Sequence, residues 1–130
     1  MICSRNVLEI IDKGLMDRVN AEKITLGTAI CFDECWQKAK SLVSEKLFSD
    51  ERNKFLWGLL REMKESGRSV DPLTLFMYTT DKYPQIQSIS DLAAYICEVT
   101  IVVAYNGYDK VLSELLRFYS VEIKKNGWQK

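Results

Sequence analysis

Apolar residues recur along this chain mostly at intervals of three and four rather than two, and only two prolines interrupt them. That spacing predicts an all-α domain of six to seven helices, compact, and ending in a long, partly exposed C-terminal helix. A leading helix over about 5–18 places Val7, Leu8, Ile11, Leu15 and Val19 on one stripe, with Gly14 a weak point inside it. Asn20 is positioned to cap a second helix reading AEKITLGTAICF, in which Ile24, Ala29 and Ile30 face inward. Gly27 in that helix is expected to let another backbone come close, so that Gly27→Leu would overpack by about 1–3 kcal/mol. Asp33 is placed to cap a third helix with Trp36, Ala39, Leu42 and Val43 on its inner stripe, and Leu47 and Phe48 plug the core from the connection that follows.

Ser49 or Asp50 opens the clearest helix, where Phe55, Leu56, Leu59, Leu60 and Met63 fall at helical spacing and Gly67 stops the run. Asp71 followed by Pro72 starts the next helix, through Leu73, Leu75, Phe76 and Tyr78, which ends before Pro84. After the polar run QIQSIS, Ser90 is placed to cap DLAAYICEVT, and the β-branched run Thr100–Val103 is compatible with helix or extended chain. The last helix, about 105–125, spans roughly 30 Å at 1.5 Å per residue. Leu112, Leu115, Leu116 and Tyr119 form one stripe on it, while Tyr108, Val111, Phe118 and Val121 add a second apolar side. A helix apolar over so much of its circumference is either deep in a core or shared with a partner. The chain therefore divides into a leading helix (1–19), a globular body (20–103) and a terminal helix (104–125) within one domain.

Charge and composition narrow the chemistry. Eighteen Lys plus Arg balance eighteen Asp plus Glu, with no charged arm, so autonomous binding to duplex DNA is disfavoured. The absence of histidine removes the imidazole that serves most nucleophilic triads, catalytic zinc sites and neutral-pH acid–base catalysis. No GxxxxGK[ST] string is present to cradle a nucleotide phosphate. Cys3, Cys31, Cys35 and Cys97 lack the paired spacing of zinc ligands and read as small buried thiols in a reduced compartment. The opening MICSRNVLEIIDKG lacks signal-peptide character, and no apolar window approaches a membrane span, so a soluble, cytoplasmic protein is expected. Adjacent acids such as Asp33–Glu34 and Asp50–Glu51 read as helix-start dipole complements rather than catalytic pairs. Neither a cofactor, a metal nor a small-molecule substrate is expected.

The order of elements carries a resemblance. AEKITLG, Trp36, Phe48 seven residues before Phe55, the leucine pattern over 55–63, and Gly67, Val70, Asp71, Thr74 and Leu75 in GRSVDPLTL follow one another. DLAAYICEVT and NGYDKVLSEL continue the series. Together they make the chain similar to the N-terminal domain of DnaB-type replicative helicases, a helical domain that precedes the motor. Ser88 and Ile89 stand where that family often has paired glycines, only one helix of its C-terminal hairpin is in view, and the motor's phosphate loop is missing.

The resemblance implies a non-catalytic interaction domain that dimerises, contributes to the helicase collar and docks the primase. On that reading the expected partners are a second copy of the chain and a replicative helicase or primase. The residues expected to carry binding are Leu112, Leu115, Leu116, Phe118 and Tyr119. The alternative is a small DNA-binding or regulatory protein whose helix-turn-helix-like element spans 50–82, with PLTLFMYTTDK as its second helix.

Overall fold

The computed structural model describes residues 4–84 and 89–125, and the elements among them are all helices, with Val102 alone making an isolated β-bridge. In chain order the helices are α1 (Ser4–Asp12), α2 (Arg18–Cys31), α3 (Asp33–Ala39), α4 (Glu51–Glu65), α5 (Pro72–Lys82), α6 (Ile89–Ile101) and α7 (Tyr108–Lys125), with a 3-10 turn at Glu45–Leu47 before α4. The suggested helix stop at Asn126 or Gly127, the turn at Ser88 and the thiol of Cys3 lie outside the described residues.

The leading helix is shorter than its periodicity predicts. It stops at Asp12, and Gly14 takes φ +70° as the left-handed residue of a Schellman closure, with Leu15 N–H donating to Ile10 carbonyl and Gly14 N–H to Ile11 carbonyl. Gly14 thus ends α1 instead of weakening it. Leu15 and Val19 fall out of phase with the stripe and are exposed. Asp17, not Asn20, caps α2, its carboxylate accepting from Asn20 N–H at 2.8 Å. Asp33 is likewise one residue inside α3, where its charge complements the dipole and pairs with Lys64 at 2.7 Å. Ser90 falls in the first turn of α6, which starts at Ile89. That helix takes in Thr100 and Ile101, leaving Val102 and Val103 to the connection.

Other signals translate directly. Asp50 caps α4 through Arg52 and Asn53 N–H. Gly67, at φ +80°, closes α4 in a second Schellman motif, Arg68 N–H reaching Met63 carbonyl at 3.0 Å. Asp71 and Thr74 form a reciprocal capping box at the start of α5.

α2 is the central element, packed against α3, α4, α6 and α7 and buried on all sides from Ile24 to Ile30. Its one close backbone crossing is with α6: a Cβ built on Gly27 would lie 1.7 Å from the Val99 carbonyl oxygen. Beyond it Thr28 Oγ1 accepts from Ala104 N–H at 2.9 Å, and Tyr108 Oη donates to Thr25 carbonyl at 2.8 Å. On the other side Trp57 stacks between Trp36 and Phe48, with ring centroids 5.4 and 5.3 Å away.

Glu22, fully buried, ties α2 to the start of α4. Oε2 accepts from Ser49 N–H and Oγ–H at 2.7 and 2.6 Å, and Oε1 accepts from Asp50 N–H and Asn53 Nδ2–H, both at 3.1 Å. Arg18 Nε sits 3.3 Å from Oε2 as an ion pair without hydrogen-bond alignment, and the rest of its guanidinium reaches Leu47 carbonyl and Glu122. Burial pushes the Tyr95 phenol up to about 12, with Asp50 adding to the shift, so it remains a donor to Asn53 Oδ1.

Two outcomes follow. Glu22→Ala strands the donors of Arg18, Ser49, Asp50 and Asn53 and is expected to cost about 3–5 kcal/mol in urea unfolding. Gly27→Ala, the smallest side chain available, is expected to cost at least about 3 kcal/mol because backbone is what it strikes, so the larger Leu lies above the range the sequence suggests.

Candidate interaction surface

α7 is the element on which the sequence places binding, and its side chains divide among three environments. Tyr108, Leu112 and Leu115 point into the main apolar cluster, Leu112 being 3% and Leu115 0% exposed. These two expected binding residues are therefore interior to the subunit and unavailable to a partner. The reason is that the stripe they head is the one α7 packs against α2.

The second apolar side of α7 is also largely covered from within the chain. Val111 is buried and Phe118 half-buried in a separate small cluster with Val7, Met16, Ala21, Ile24 and Ala104, so that α1 lies over this flank. Tyr119 is half-buried beside the main cluster. What remains open is Leu116 at 37% and Val121 at 50%, among the exposed polar residues Ser113, Arg117 and Ser120. Of the five expected residues, then, Leu116 is exposed, Phe118 and Tyr119 reach the surface in part, and Val121 joins them. The charged end of α7 is anchored by Arg18 to Glu122.

Apolar residues are exposed elsewhere as well. On α5, Leu73 and Met77 stand one turn apart on the outer face, and Leu75 and Thr79 are the buried residues of that helix. Of the apolar residues that the sequence strings along this helix, Leu75 takes the core position and Leu73 faces out. Phe55, whose spacing groups it with the core residues Leu56, Leu59, Leu60 and Met63, instead packs on Tyr83 at the surface with ring centroids 5.5 Å apart. Leu42 is exposed because α3 ends at Ala39 and the helical phase ends with it.

The outer face of α5 bears on the helix-turn-helix alternative. Thr74 is spent in the capping box, Lys82 is paired with Glu62, and Leu73 and Met77 present aliphatic surface. A reading head for base edges needs donors in these places.

The described residues contain no cluster of three His, Cys, Asp or Glu that could hold a metal ion, and no helix among them is long and apolar enough to cross a membrane. Burial pushes the Cys35 thiol up to about 11, far from the depressed range of a nucleophilic thiolate. Burial likewise raises the Tyr108 phenol well above its ordinary value.

Neither a curated protein nor a solved structure matches the chain. One family does match, and it takes in α2 to α6 and the first half of α7 while leaving α1 outside. Through residues 15–114 the chain belongs to the family described as DnaB-like helicase N terminal domain.

Proposed function

We propose that this domain is a non-catalytic interaction module that self-associates and docks onto a replication protein, a replicative helicase or a primase, in the cytoplasm. Family membership supports the replication setting. The single observation that carries the mode of action is α7: the helix is clamped to the body by Tyr108, Leu112 and Leu115, yet turns Leu116 and Val121 outward. A helix so held presents its outer face with little ordering left to lose on contact, which is what a docking surface requires. Leu116, Val121 and the partly exposed Phe118 and Tyr119 are the contact residues on this reading.

Apolar burial of this kind contributes roughly 25 cal/mol per Å² before association costs are subtracted, so affinity is expected to be modest. The wild-type chain is expected to scatter light with a mass near twice 15.0 kDa at high concentration. Val121→Asp places a charge on the contact and is expected to weaken self-association by about 2 kcal/mol, roughly thirtyfold in Kd, with the helical circular dichroism unchanged. A wild-type chain that stays monomeric and ignores purified helicase and primase counts against the reading.

A further inference from the structure

α1 differs from every other helix in how it is held. It sits on the small second cluster, apart from the main core, with Val7 buried and Leu8 laid across Gly107, where an added Cβ would come within 2.5 Å of Leu8 Cδ2. An ion pair joins Asp12 to Lys110 at 3.5 Å, but both side chains are mostly in water, so it holds weakly. The seat is also open along one edge. A solvent-open cleft of about 260 Å³ runs beside Val7 and Ile10, lined by Met16 and Val102 and by the charged Lys23 and Glu98, so water reaches that edge of the seat. Nine residues are too few to stay helical without such a seat, and the chain leaves α1 through Gly14, around which there is open space.

Beneath α1 runs a stripe of α7 that continues past it. Val111, Phe118 and Val121 are spaced i, i+7, i+10; the first is buried, the second half-buried and the third half-exposed. Two antiparallel copies of α7, offset to set Phe118 against Val121, also bring Glu114 opposite Lys125. The stripe is self-complementary in apolar and in charged positions.

We propose that α1 is a releasable strap that competes in cis with a second copy of the chain for the Val111–Phe118–Val121 stripe of α7. This rests on the reading that α7 mediates self-association, and adds to it a regulation: seated, α1 covers Val111 and Phe118, and displaced, it lets the full stripes of two copies pair.

The test uses the full chain. In native hydrogen exchange, the α1 amides of Val7–Asp12 open locally and exchange about a hundredfold faster than those of α2. In sedimentation equilibrium, Val7→Asp/Ile11→Asp releases the strap and tightens dimerisation about a hundredfold if the wild-type strap is closed about nine-tenths of the time, because both copies must open. Leu8→Ala, a milder loosening that decides the matter should the double variant unfold, moves the constant the same way by a smaller factor. Adding Phe118→Asp abolishes the gain. α1 amides that exchange only as fast as α2 overturn the strap, as do released variants that dimerise no tighter than a self-associating wild type; in both cases the role of α7 stands. Wild-type and released chains that are both monomeric overturn the strap and the α7 reading together.

Discussion

A buried carboxylate holds the arrangement together. Removing Glu22 from water carries a desolvation cost of several kcal/mol, offset here by four hydrogen bonds and the charge of Arg18. The backbone N–H groups of Ser49 and Asp50 that it receives belong to the entry into α4, so the start of that helix is pinned to α2 at one point. Arg18 carries the linkage outward, to the carbonyl that ends the 3-10 turn and to Glu122 near the end of α7. The aromatic stack of Trp36, Trp57 and Phe48 and the bearing of α7 both depend on where α4 and α2 stand relative to each other.

The number and kind of elements were legible in the sequence because caps and glycine stops are local chemistry. Asp50, Asp71, Pro72 and Gly67 act in the structure as their types suggest. Gly14 misled because periodicity ran across it: Leu15 and Val19 continue the spacing of Val7 and Ile11, and only the sign of φ reveals that the helix has ended. Glu22 was illegible as a buried anchor, since the groups it accepts from lie about thirty residues away and no local pattern announces them.

The interaction surface was half legible. The excess of apolar residues on α7 was plain, but periodicity reports that a flank must be covered, not by what. Leu112 and Leu115 are covered by the body, and Val111 and Phe118 by α1, which the sequence treats as a separate leading helix. Only Leu116 and Val121 remain as the outward signal.

The crossing at Gly27 has a consequence for how such a domain can diversify. With a carbonyl of α6 seated where any side chain on α2 would begin, the two helices have no adjustable spacing, and their relative pose is inherited as a fixed axle. Variation is then confined to the periphery, on the outward residues of α5 and α7 and the whole of α1. A frame of this sort can exchange its clientele by repainting outer faces while the hub stays frozen.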